Sequence, residues 1–155
     1  MRFLLVGSIA MSPLAACAPV GEPAPSEIEA RAFLDEMVAL ASAGQFEAMC
    51  ARGAGSCARI LEDAASPPPT DPPAVVGNRT IQPDTTGDVR SSGGLVLELC
   101  GENRGEIYYT EMLVFRENGE LRAIEPVYWS GFRVAQDGTV GTPRPNADRL
   151  CASAA

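Results

Sequence analysis

The chain has 155 residues, of which 12 are basic and 20 acidic, giving a net charge of −8, and 46% of its side chains are hydrophobic. That length supports one domain with a core and not two, and an acidic surface of this kind repels phosphate backbones, which excludes nucleic acid as a partner. Every basic residue is Arg; with no Lys and no His, the chain lacks an imidazole base, a histidine metal ligand, a Schiff base and a Ser-His pair.

Arg2 supplies a minimal positive start, residues 3–11 an apolar run, and Leu14-Ala15-Ala16-Cys17 follows. The run is too short to span a bilayer as a permanent helix. With the small residues before Cys17 it resembles the lipobox of bacterial lipoprotein signals. The resemblance implies a signal peptide over residues 1–16, cleavage before Cys17 and thioether lipidation of that residue. It places the protein in the cell envelope, lipid-anchored on the extracytoplasmic side of a bacterial membrane. Cleavage would leave 139 residues and, with Arg2 removed, a charge of −9. Residues 17–25 hold the lipidated Cys and Pro19, Pro23 and Pro25, an extended tether. Residues 26–155 are read as a single α+β domain.

Ser26 stands three residues before Glu29, the spacing of a capping box. Ile28, Phe33, Met37, Leu40 and Ala41 then recur at helical intervals, and the helix is expected to end near Gly44. Its charged face holds Glu29, Arg31, Asp35 and Glu36, with Arg31 and Asp35 an i,i+4 pair. Short helices are expected around residues 45–52 and 56–65, and the prolines of residues 66–73 stop helix formation. Beyond them the period shortens. Strands are expected over residues 74–82, 95–100, 107–115 and 120–128, with Asn118-Gly119 as a hairpin turn, and a further short one within 131–134. Pro126 implies an edge or a bulge near Trp129, and residues 139–146 read as coil.

Beyond Cys17 the cysteines are Cys50, Cys57, Cys100 and Cys151, an even number that suits a disulfide framework outside the cytoplasm. Three pairings are open. Cys50–Cys57 and Cys100–Cys151 are favoured, since the first pair flanks a tight Gly-rich turn and the second fastens the C-terminal tail to a strand. The spacings lack the paired short intervals of a zinc site. Asp84 and Asp88 lack the rest of a calcium loop, and Asn78-Arg79-Thr80 is a glycosylation sequon that is usually silent in bacteria. No metal or cofactor is implied.

Helices first and antiparallel strands afterwards indicate helices packed on a curved, mainly antiparallel sheet. The helix with Phe33-Leu34, the unit from Ala43 through Cys50 and the hairpin from Val114 to Leu121 resemble the nuclear transport factor two-like superfamily, a cone-shaped α+β fold, with a cystatin-like arrangement as the rival. That resemblance implies a pocket between the concave sheet and the helices. Its members include isomerases, cyclases, hydratases and non-catalytic binding domains, so the likeness describes fold more than activity. None of the enzyme members' catalytic motifs is present.

Tyr108, Tyr109, Glu111, Tyr128 and Trp129 form the main concentration of aromatic and acidic side chains. Strand alternation places Tyr109 and Glu111 on one face and Tyr108 on the other. Glu111 reads either as a general base in an apolar pocket or as a carboxylate that is solvated or paired with an Arg, the second being the simpler. Trp129 reads as core packing before it reads as a binding surface. The sequence is best explained by a lipid-anchored domain that binds a small apolar ligand or an envelope protein without catalysis. A hydrolase, isomerase or cyclase using a pocket carboxylate, and a structural envelope protein docking a membrane neighbour, are the alternatives.

Overall fold

The computed structural model describes residues 22–54, 57–63, 67–83, 93–136, 140–141 and 146–152. Cys17, the expected signal peptide and the first part of the tether lie outside the described residues, as do Asp84 and Asp88. Ser26 caps α1 (Glu27–Ser42) in a complete capping box: its backbone N–H and hydroxyl donate to Glu29 at 2.9 and 2.8 Å, and its oxygen accepts from the Glu29 N–H at 3.3 Å. These bonds, the Ser26 backbone N–H foremost and then the Ser26 hydroxyl and Arg116, lower the Glu29 carboxyl to about 2. Ala30, Phe33, Leu34, Met37 and Ala41 form the buried stripe of α1, as the periodicity requires. Arg31 pairs with Glu27 at 2.8 Å, not with the expected Asp35. An acid one turn N-terminal to the base is the better order along a helix.

α2 (Phe46–Ala51) and α3 (Cys57–Asp63) follow Gly44, whose φ of +69° turns the chain out of α1. Between them lies β1 (Gly53–Ala54). The remaining elements are β2 (Ala74–Ile81), β3 (Gly94–Asn103), β4 (Glu106–Glu117), β5 (Glu120–Ile124), β6 (Arg133–Val134), β7 (Val140–Gly141) and α4 (Ala147–Ala152). The fold is α+β, with five strands in the order β1-β5-β4-β3-β2 and a separate β6-β7 ribbon. The large sheet is mixed: β1 runs parallel to β5, and the other neighbours are antiparallel. Both central hairpins use two-residue loops, Arg104-Gly105 and Asn118-Gly119, with positive φ at each position.

The register gives each face of β3 and β4 its own apolar set. Leu95, Leu97 and Leu99 oppose Val114, Met112 and Thr110, and this face packs on α1 to α3 through Phe33, Met37, Met49 and Ile60. Val96 opposes Leu113 on the other face, where Ile81 and Val134 join a smaller cluster. Strands buried on both sides read as nearly continuous apolar runs, which is the burial seen along β3 and β4.

The fourth expected strand, over 120–128, ends early at Ile124. Glu125 takes φ +64° and Pro126 has no N–H to donate, so neither continues the ladder. A turn follows, with the Ser130 N–H bonded to the Val127 carbonyl at 3.0 Å. Val127, Tyr128 and Trp129 fill the core on the helix side. The chain then takes the edge of β4 that β5 has left: the Gly131 N–H donates to the Thr110 hydroxyl at 2.9 Å and the Glu111 N–H to the Phe132 carbonyl at 2.9 Å. It emerges as β6 on the far face. β1 and α4 were not expected from the sequence, and the 139–146 coil contains β7.

Cys50 is joined to Cys57 and Cys100 to Cys151. The first bond ties α2 to α3; the second ties α4 to β3. In the chain-entropy model, losing the cross-link that spans 51 residues costs about 4 kcal/mol and losing the one that spans 7 costs about 2. Urea unfolding of the Cys100→Ser/Cys151→Ser and Cys50→Ser/Cys57→Ser variants is expected to show that order.

Candidate functional site

Alternation along β4 separates the five residues singled out from the sequence. Tyr108, Tyr128 and Trp129 lie in the helix-side core, with Tyr128 and Trp129 edge to face at a centroid distance of 4.8 Å. Burial pushes the Tyr128 hydroxyl up to about 12, and burial together with Tyr128 pushes Tyr108 up as well. The Tyr108 ring covers Gly101, where a Cβ would meet its hydroxyl at 2.3 Å. Tyr109 and Glu111 point the other way, into a cavity of about 580 Å³.

This cavity lies on the face of the sheet turned away from α1 to α3. Its floor is Val76 and Arg79 of β2, Glu98 of β3, and Tyr109 and Glu111 of β4, and its cover is Arg133 and Val134 of β6, Ala135, Gln136 and Leu150 of α4. Two features of β2 open the floor. The register slips between Val75 and Gly77, and Gly77 lies under the Glu98 carboxylate, which a Cβ would approach to 2.8 Å.

Glu111 is 2% exposed and holds the cavity together. Its Oε2 accepts from Arg79 Nη2 at 2.8 Å and from the Val134 N–H at 3.0 Å. Its Oε1 accepts from the Tyr109 hydroxyl at 3.3 Å, and Arg133 Nε stands 3.9 Å away. Arg79 Nη2 also donates to the Val134 carbonyl. The ion pair therefore meets both backbone polar groups of Val134, one acceptor for its N–H and one donor for its carbonyl, as a neighbouring strand would. The Tyr109 hydroxyl also reaches Glu98, so its single proton is shared between the two carboxylates, and burial first, then the charges of Glu111 and Glu98, push it up.

Glu111 is paired with an Arg, with a cavity beside it, and it is not solvated, because β6 covers it. Arg79 and Arg133, its partners, were missed in the sequence. They lie 32 and 22 positions away on other strands, where no local spacing reveals them. The available signal was a lone carboxylate in a run, Tyr108 to Val114, that is otherwise uncharged and mostly apolar. Among the described residues no group of three or more His, Cys, Asp or Glu side chains could hold a metal ion.

A second buried carboxyl lies apart from the cavity. Glu125 is 3% exposed, and burial pushes it up to about 7 against the opposing effects of the Ser130 hydroxyl and Arg59. The Ser130 hydroxyl is 3.5 Å from Oε2. No known family model, curated protein or solved structure matches this chain.

Two measurements follow from these carboxylates. Glu111→Ala strands Arg79 in a half-buried position and frees Val134, and is expected to cost about 3–5 kcal/mol in urea unfolding. For Glu125, the folded state holds its proton to a higher pH than the unfolded chain, whose value is 4.5. Stability is thus fully present below about 4.5, falls as pH rises to about 7, and is flat above. Glu125→Gln is expected to remove that fall, as read from unfolding curves at pH 4.5 and pH 8.

Proposed function

We propose that this protein is a lipid-anchored, extracytoplasmic binding domain of a bacterial envelope, which holds a small polar ligand in the cavity beneath β6 and α4. The single observation that carries the reading is the cavity itself, a concave space of ligand size with charged groups converging on it. The lipobox resemblance at Cys17 and the two disulfides support the location. Charged lining moves the ligand class from apolar to polar.

Binding without catalysis is the better reading of Glu111. A general base needs an oxygen lone pair turned to substrate, and the Glu111 oxygens are engaged by Arg79, Tyr109 and the Val134 N–H. Helices over one face of a five-stranded sheet support the cone-like fold reading in its general form. The cavity departs from what that resemblance implies, because the space between helices and sheet is filled by Phe33, Met37, Leu97 and Met112.

Native mass spectrometry of the full chain, purified under non-reducing conditions and incubated with a small-metabolite extract, tests the proposal. A bound polar molecule that is lost in Arg133→Ala supports it. An empty protein whose cavity residues show no NMR shift change with the extract overturns it.

A further inference from the structure

The cavity is formally neutral but not evenly so. Arg79, Arg133, Glu98 and Glu111 contribute two positive and two negative charges, and Arg79 and Glu111 are committed to each other and to Val134. That leaves one cationic and one anionic side chain facing the space, Arg133 and Glu98, the latter sharing the Tyr109 proton with Glu111. Arg133 Nε is a buried donor with no hydrogen bond, and its distance of 3.9 Å from Glu111 is too long to supply one. The buried Nε is out of a ligand's reach, but the Arg133 side chain as a whole is 39% exposed, and a carboxylate end-on to the guanidinium would take its terminal N–H groups. Glu98 is half-buried and stands directly opposite Glu111 across the β3–β4 ladder. Two like charges in that register disfavour each other, so a cation beside Glu98 relieves the site. Of the remaining lining, Val76, Val134, Ala135 and Leu150 give an aliphatic wall, and Tyr109 and Gln136 are polar.

Building on the binding reading above, we propose that the ligand is a small zwitterion, an α-amino acid with an aliphatic side chain. Its carboxylate lies on Arg133, its ammonium on Glu98 and its side chain against the aliphatic wall. A dianion meets two carboxylates in the same space, and a simple cation meets Arg133, so neither balances the site as a zwitterion does.

Isothermal titration of the full chain, oxidised, with three probes separates the two charged arms. Leucine carries both, 4-methylpentanoate lacks the ammonium, and 3-methylbutylamine lacks the carboxylate. Leucine is expected to bind, and each one-armed analogue to bind about tenfold more weakly or worse. Glu98→Gln, checked by circular dichroism for an unchanged fold, is expected to bring leucine down to the level of 4-methylpentanoate. Equal binding of leucine and 4-methylpentanoate overturns the zwitterion, as does leucine binding that ignores Glu98→Gln, or no binding of any probe. In those cases a metabolite retained in the native mass spectrum would leave the polar-ligand reading standing, whereas an empty cavity there removes both.

Discussion

The contact between Glu111 and Arg79 is the constraint on which the far face of this domain depends. Val134 needs an acceptor for its N–H and a donor for its carbonyl, and the ion pair supplies them from side chains. A buried pair of this kind is weak evidence of net stability, because both charges lose water. Its effect is geometric: it fixes where β6 crosses the sheet, and so where the cavity wall stands.

That crossing is possible because β5 is short. After Ile124 the chain turns at Glu125 and Pro126, fills the helix-side core with Val127, Tyr128 and Trp129, and rounds the edge of β4 at Gly131, with φ +76°. One segment of about ten residues thus packs against both faces of the sheet. α4 completes the cover, fastened through Cys151 to Cys100, whose cross-strand neighbour is Tyr109 on the cavity floor. The smaller cluster of Ile81, Val96, Leu113 and Val134 is the apolar support of this face, and it is modest beside the helix-side core.

Much of the scaffold was legible because its signals are local. Ser26 and Glu29 mark the start of α1, Asn118-Gly119 marks a hairpin, and alternation along β4 separates Tyr109 and Glu111 from Tyr108. The cysteine pairs were readable from the turn between Cys50 and Cys57 and from the tail that Cys151 had to fasten. What escaped is what depends on distant partners. Two-residue β1 has no period to detect, and α4 buries no side chain fully. Pro126 signalled a break in the last strand, but the break's position two residues earlier, after Ile124, depends on the positive φ of Glu125, which Glu rarely adopts. The Arg partners of Glu111 are set by tertiary placement, so the sequence left open whether water or an Arg meets that carboxylate, and which Arg.

The two disulfides also differ in what each leaves to chance. The loop between Cys50 and Cys57 is the shorter and the less demanding to close. Once those two are joined, Cys100 has a single partner among the four, Cys151. Of three conceivable connectivities, closure of the small ring therefore eliminates the two mispaired ones, and a chain that closes it first needs no reshuffling to reach the native pair.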